Sequence, residues 1–333
     1  HTKGTSPKSQ HDKQKVTLEI INDPKLVNRI CAVVLEVTQK KSPAELSNRL
    51  EATDIRSLNT IVDVTNYVMR TIGFPTHVFD YDRLNTKTLR IRESKPGETV
   101  TTLDGKEHEL PGGDIIAVDD SGSIVDLLGI MGLENSVITD DTHRIVLFIN
   151  SDNPHRIRKT SMTLGIRTEA AQLNEKELDP ELVMDALLFG ISQYEKIAEG
   201  KRISKIIDIY PNPPKVKTVS VNESTINRML GVVLPLAKAA AILEKLGFKT
   251  SMHQETITAE IPSFRLADVA IPEDLVEEIA RIYGYQNIPD TLPPFTAETA
   301  THITSEPFYW ESRVKQALKY WGFSEAYTYP MVS

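Results

Sequence analysis

The stretch Tyr210-Pro211-Asn212-Pro213-Pro214 constrains this chain more than any other. Proline has no backbone N–H and a fixed φ, so this run ends any helix and any inner strand. The segments before and after it must each bury their own apolar residues. The length agrees, since 333 residues suit two domains of about 150 residues with room for a small third piece. We expect one domain over 16–209, a smaller one over 215–289, and a linker plus the first elements of a truncated third domain over 290–333. The polar opening stretch 1–15, with Lys3, Lys8, Lys13 and Lys15, reads as a flexible linker. The ends at His1 and Ser333, the latter just after a strand-like run Ala326–Tyr329, read as cuts through a longer protein.

The first region mixes helix and strand periods. Val16–Ile20 alternates as a strand, and Ile30–Val37 is rich in β-branched residues. Ser42-Pro43-Ala44-Glu45 reads as a helix start, with Ser42 capping, Pro43 in the first turn and Glu45 closing a capping box. A second helix is expected over Asn59–Thr71, with Ile61, Val62, Val64 and Val68 on one side and Gly73 then Pro75 ending it. Short strands follow at Thr88–Arg92, Thr99–Leu103, Ile115–Val118, Ile124–Leu128 and Ile145–Leu147, with Asp104-Gly105 as a hairpin signal. Asp179-Pro180 opens a long amphipathic helix to about Ala198, with Leu182, Ala186, Ile191 and Tyr194 on its core face. This order suits a mixed α/β domain of the α+β class and not a regular βαβ repeat.

The second region reads as strand Val216–Val221, helices Ser224–Leu230 and Leu236–Leu246, strands near Phe248–Met252 and Thr256–Ile261, and helix Pro272–Tyr283. That is a small winged-helix-like α+β module. Thr291–Thr304 is a second linker, and Glu311–Trp321 is the first helix of the third piece.

Composition narrows the function classes. A net charge of −8 argues against a chain living wholly on a basic nucleic-acid footprint. The single cysteine, Cys31, excludes an intramolecular disulfide framework and fits a reducing, cytoplasmic setting; in its apolar strand it reads as a small buried hydrophobe. No apolar run approaches the length of a membrane span. The eight histidines show no metal-ligand spacing. Arg156, Arg158 and Lys159, with Arg167 nearby, read either as RNA-phosphate contacts or as a solvated charged face.

Several strings then converge. Ile61-Val-Asp-Val-Thr-Asn-Tyr-Val68, Gly73-Phe-Pro-Thr-His-Val-Phe-Asp80, Leu103-Asp-Gly105, Ile157-Arg-Lys-Thr-Ser161 and Gly165-Ile-Arg-Thr-Glu-Ala170 resemble the bacterial phenylalanyl-tRNA synthetase beta subunit. So do Pro262-Ser-Phe-Arg265, Asp268, Glu273-Asp-Leu-Val-Glu-Glu-Ile-Ala-Arg-Ile-Tyr-Gly-Tyr285 and Asn287-Ile-Pro289, which are similar to the family's small B5 module. The resemblance runs from about Ile30 to the C-terminus. It implies a ligase that joins phenylalanine to tRNA(Phe) with ATP. It further implies an alpha-two-beta-two tetramer with the synthetic site on the alpha subunit, and an editing domain over 16–209 that hydrolyses Tyr-tRNA.

An apolar pocket rejects an added hydroxyl only about 10²-fold, so a separate hydrolytic site makes physical sense. By the resemblance, Asn66, His77, Gly129, Gly132, Thr168 and Ala170 line that pocket. The acidic residue expected to read the tyrosine hydroxyl falls on Phe148 without gaps, or on Asn150 with a two-residue deletion. Leu128 and Leu133 stand where glycine is usual, and side chains there are expected to fill space. Leu173-Asn174-Glu175-Lys176-Glu177 also departs from the family pattern. We therefore expect a weakened or vestigial pocket, unless a carboxylate such as Glu169 or Glu134 points into it. Asp274, Glu277 and Glu278 at i, i+3 and i+4, with Asp268 folding back, are the resemblance's magnesium site, shared with the alpha subunit. Their plain alternative is a capping aspartate and a solvated acidic face. A scaffold without chemistry, or a DNA-binding use of the winged-helix-like module, are the rival functions.

Overall fold

The computed structural model describes residues 16–290 and 306–331, so the expected linkers 1–15 and Thr291–Thr304 lie outside the described residues. Up to the proline breaker the elements are β1 Glu19–Ile21, β2 Val27–Glu36, α1 Ala44–Glu51, α2 Thr60–Ile72, β3 His77–Asp80, β4 Thr88–Glu93, β5 Thr99–Thr101, β6 Glu107–Glu109, β7 Ile115–Asp119, β8 Ile124–Leu127, β9 Met131–Gly132, β10 Arg144–Asp152, α3 Pro154–Leu164, α4 Glu169–Asn174, α5 Leu182–Ile197, β11 Lys201–Arg202 and β12 Ile207–Ile209.

The middle layer is a sheet in the order β11-β2-β10-β3, with β12 also pairing β2. Side chains alternate across a strand. Ile30, Ala32 and Val34 of β2 and Val146 and Phe148 of β10 therefore enter one core, while Cys31, Val33, Leu35, Ile145, Leu147 and Ile149 enter another. The first core is closed by the sheet β1-β4-β7-β8-β9, through Leu89, Ile91, Ile116, Val118 and Leu127. The second is closed by α1, α2 and α5, through Leu50, Ile61, Val64, Val68, Ala186 and Tyr194. Helices, sheet and sheet thus stack in that order, a mixed α+β fold as expected.

Three local expectations need correction. Ser42 does not cap α1, whose first turn has no side-chain cap. Its hydroxyl instead donates to Asp63 at 2.6 Å, and Asp63 also accepts from Ser57 Oγ at 2.5 Å and Leu58 N at 2.9 Å. A buried carboxylate outcompetes a helix end for that hydroxyl, because an unpaired buried charge is the costlier loss. Strand β10 runs on to Asp152, well past Leu147, with an irregularity between Ser151 and Asp152. Its backbone ladder with β2 does not need apolar side chains, so the polar run Asn150–Asp152 stays in the sheet. Ala326–Tyr329, expected as a strand, has no strand partner among the described residues.

After the breaker come β13 Thr218–Asn222, α6 Glu223–Leu230, α7 Leu236–Lys245, β14 Lys249–His253, β15 Thr256–Glu260 and α8 Pro272–Tyr283. The antiparallel sheet β13-β15-β14 and the three helices share one core, with Val221, Ile226, Leu243, Ile257, Leu275 and Ile279 at its centre. Ser263 Oγ donates to Asp179 Oδ2 at 2.7 Å, tying this module to the segment before α5. Residues 286–333 are a separate unit. In it, α9 Glu306–Tyr320 begins earlier than the expected Glu311, and Lys315 pairs with Glu311 and Glu325, each at 2.8 Å.

Arg29 fastens the end of the first region. Its guanidinium donates to Asp208 of β12 at 3.0 and 2.9 Å and to the Pro180 carbonyl at 3.2 Å. It also stacks on the Tyr210 ring at 4.4 Å, just where the breaker begins. Arg29→Ala is expected to lower the unfolding free energy by about 2–3 kcal/mol, because it strands Asp208 and frees the chain at the breaker. Urea denaturation of the variant against the parent measures this.

Candidate functional site

Asn66 of α2, His77 of β3, Gly129, Gly132 of β9, Thr168 and Ala170 all line one cavity of about 350 Å³. Local structure explains each placement. Helix α2 is started by Asn59, whose Oδ1 accepts from Ile61 N at 3.1 Å and Val62 N at 3.0 Å. It ends at Gly73 with φ 80°, which turns the chain into β3 and His77. Thr168 caps α4 by accepting from Ala171 N at 3.0 Å and donates to the Ile130 carbonyl at 2.6 Å. Its hydroxyl therefore holds the β8–β9 turn against α4. Both glycines are needed for close approach. A Cβ on Gly132 would meet His77 Cε1 at 2.7 Å, and one on Gly129 would collide with Asp152 Oδ2.

The polar floor of the cavity also contains residues outside the expected set. Asp126 of β8 lines it and is buried, 3% exposed. Asp126 Oδ1 lies 3.9 Å from His77 Nε2, and neither atom has a hydrogen-bond partner. Burial holds the His77 imidazole down at a pKa of about 4, so it is neutral at pH 7. Burial likewise pushes the Asp126 carboxyl well above the usual carboxylate range. Asp152 lies behind Gly129. Asn150 Nδ2 donates to its Oδ1 at 2.5 Å, while its Oδ2 is unpartnered. Desolvation, with the Asp126 charge adding to it against the Asn150 bond, pushes Asp152 up to about 8. The signal for Asp126 was present in the sequence, as a lone charge inside the apolar run Ile124-Val125-Asp126-Leu127-Leu128.

The expected acidic position is also resolved. Phe148 is fully buried in the core, edge-on to Phe79 with ring centroids 5.6 Å apart, and does not line the cavity. Asn150, two residues on and on the same strand face, does line it. Leu128 and Leu133 do not fill the cavity as expected. Both are buried in the first core, just past the ends of β8 and β9, where the chain leaves the strand and turns them away from the cavity. Of the two substitute carboxylates considered, Glu169 lines the cavity but is paired with Arg70, and Glu134 is exposed and does not line it.

The four carboxylates of the second module do not gather around a cation. Asp274 accepts from Ala270 N at 2.7 Å and Ile271 N at 2.9 Å, capping its own helix. Asp268 takes both oxygens to Arg265 Nε at 3.0 Å. Glu278 is bound by Arg265 at 2.9 Å and Arg281 at 2.5 Å, and Glu277 is exposed. The Arg265 guanidinium thus stands between Asp268 and Glu278 and holds the Glu278 carboxyl below its ordinary value. Among the described residues no group of three or more His, Cys, Asp or Glu is placed to hold a metal ion. These residues as arranged do not fit the expected magnesium site, since helical proximity of carboxylates also recruits arginine.

The basic cluster is largely spent within the chain. Arg156 pairs with Glu93 at 2.6 Å, while Arg158 and Arg167 pair with Glu175 at 3.3 and 2.7 Å. Cys31 is fully buried with its Sγ 3.3 Å from Asp208 Oδ1. Burial pushes that thiol up to about 12, which suits a packed and unreactive group. Among the described residues no helix is long and apolar enough to cross a membrane.

Two measurements check these electrostatic assignments. Asp152 ionises near pH 3.9 or so when unfolded but holds its proton to about 8 when folded. The folded state binds more protons across that window, so this carboxyl lowers stability as pH rises through it. Asp152→Asn keeps an acceptor for Asn150. It should raise the unfolding free energy on the order of a few kcal/mol at pH 8 and hardly at all at pH 4, read by denaturation at both. Arg265→Ala leaves Glu278 buried with one cation fewer. It should cost about 3 kcal/mol in the same assay.

Residues 27–199 match the B3/4 domain family, and residues 219–285 match the tRNA synthetase B5 domain. The phenylalanine–tRNA ligase beta subunit of Carboxydothermus hydrogenoformans is 36% identical over 319 residues, covering 96% of this chain and 39% of that protein. That of Staphylococcus epidermidis is 34% identical over 330 residues, covering 99% and 41%. That of Lactococcus lactis is 38% identical over 293 residues, covering 88% and 36%. The chain thus spans about two fifths of the length of the curated relatives it matches. A solved N-terminal fragment of the phenylalanyl-tRNA synthetase beta subunit from Pyrococcus horikoshii aligns at a TM-score of 0.39 and 15% identity, over 84% of this chain and 78% of that one. With the cavity-bearing region matched over more than half of the chain and a B5 domain following it, the chain belongs to the B3/4 domain family, in the pairing carried by phenylalanine–tRNA ligase beta subunits.

Proposed function

We propose that this chain works as part of the beta subunit of a phenylalanine–tRNA ligase. With an alpha subunit, in an alpha-two-beta-two assembly in the cytoplasm, it supports ATP- and Mg²⁺-dependent attachment of phenylalanine to tRNA(Phe). In this reading residues 16–209 are the hydrolytic module, 215–289 the B5 module, and 290–333 the lead into the catalytic-like domain. The cavity between α2, β3 and α4 takes the aminoacyl end of a wrongly charged tRNA.

One observation carries the hydrolytic part. Asn66, His77, Gly129, Gly132, Thr168 and Ala170 come from distant stretches of chain and converge on one open cavity. The walls also include Met69, Leu103, Ile130 and Met131, which suit an aromatic side chain. Ester hydrolysis needs a water held beside the carbonyl carbon. A neutral imidazole with a free Nε2 can hold either that water or a donor group of the substrate, and one titrating near 4 is a weak base at pH 7. His77 is therefore a positioning group for the water or the substrate.

A second reading is favoured by the uncharged residues at Phe148 and Asn150: a scaffold that places the alpha subunit and tRNA without hydrolysis. Deacylation of Tyr-tRNA(Phe) by the reconstituted two-subunit enzyme separates the two. The hydrolytic reading expects turnover that falls about 100-fold in His77→Ala, as loss of a positioned reactant does. The scaffold reading expects Tyr-tRNA to survive with the parent enzyme, while aminoacylation proceeds.

A further inference from the structure

Six buried side-chain atoms among the described residues lack a hydrogen-bond partner, and three of them are His77 Nε2, Asp126 Oδ1 and Asp152 Oδ2. Folded proteins leave few such atoms, so their concentration at one place points to an absent partner. The chemistry of the set is one-sided. Both carboxyls present an unpartnered oxygen and become acceptors only once a counter-charge lets them ionise, a neutral imidazole can present a lone pair, and Asn150 commits its Nδ2 donor to Asp152. Among the described residues no lysine or arginine lines the cavity, and Arg70 is engaged with Glu169.

We propose that Asp126, faced by His77 and backed by Asp152, is a subsite for a primary ammonium group, so that the cavity takes amine-bearing ligands. A nitrogen placed about 2.8 Å from both Asp126 Oδ1 and His77 Nε2 fits their 3.9 Å separation. An ammonium brings three donors and the compensating charge that lets the buried Asp126 carboxyl ionise on binding, its Oδ1 having no partner of its own. A neutral hydroxyl brings one donor and no charge, so the buried carboxyl keeps its proton. The surrounding apolar wall makes the match specific, because a buried charge without its counter-ion is strongly disfavoured. The natural ligand that this implies, the α-ammonium of an aminoacyl ester, rests on the hydrolytic reading above; the subsite itself does not.

Calorimetric titration of the 333-residue chain with four matched probes tests it. The probes are L-phenylalaninamide, L-tyrosinamide and their des-amino counterparts, 3-phenylpropanamide and 3-(4-hydroxyphenyl)propanamide. Both amines are expected to bind at least about 30-fold more tightly than their counterparts. Asp126→Asn, which keeps shape and removes charge, is expected to abolish that preference while unfolding cooperatively at or above the parent's Tm. Asp126→Ser is a second removal of the charge that guards against a folding defect in the first. The proposal is overturned if neither amine binds, if the preference follows the phenolic hydroxyl instead, or if it survives in a folded Asp126 variant. An enzyme that binds the amines through Asp126 yet leaves Tyr-tRNA intact would refute hydrolysis and keep the subsite.

Discussion

The antiparallel pairing of β2 with β10 is the constraint on which the first region depends. The two strands are matched residue by residue from Glu36–Arg144 down to Ile30–Asn150, and both are buried on both faces. Because strand side chains alternate, the pairing divides the apolar residues between two cores at once. A slip of one residue would exchange every member of one core with the other. Helices α1, α2 and α5 and the sheet β1-β4-β7-β8-β9 then have defined faces to cover. The same register sets Phe148 opposite His77, so the strand that builds the cores also delivers the site's imidazole.

The cavity lies where that interlayer face changes from apolar to polar. Along one face of β10 the residues are Val146 and Phe148, which fill the core, then Asn150 and Asp152, which meet each other and the cavity floor. Gly129 and Gly132 let Asp152 and His77 come close to the β8–β9 turn. The outcome is a neutral histidine and two carboxyls held above their ordinary range, in a wall that is otherwise mostly apolar. Unpartnered groups of this kind weaken the fold they sit in. Their grouping is therefore better explained by a ligand than by stability.

The carboxylates of α8 show the opposite outcome. They share helical spacing, but an arginine from outside the helix, Arg265, reaches Asp268 and Glu278 first. Asp274 caps the helix that carries it. Here Asp268, Asp274 and Glu278 are satisfied by the chain's own donors, while Glu277 stays in solvent. In the cavity no lysine or arginine among the described residues reaches Asp126, and that contrast distinguishes a structural acidic group from a receptive one.

The local elements and their order are legible in the chain's own residues. The Asn59 start and Gly73 end of α2, the Asp104-Gly105 hairpin turn, the Pro272–Tyr283 helix and the break at Pro211–Pro214 all follow from residues adjacent in the chain. The resemblance also named side chains that the fold brings to one cavity. The partner that each polar group takes is set by long-range packing. Ser42 bonds Asp63 across 21 residues, and Arg29 reaches Asp208 across 179. Phe148 rather than Asn150 is buried in the core, and Asp126 is left facing His77 without a counter-charge. The physical reason is that backbone preferences act over a few residues. Desolvation and hydrogen bonding instead depend on every group that packing brings near, whatever its distance along the chain.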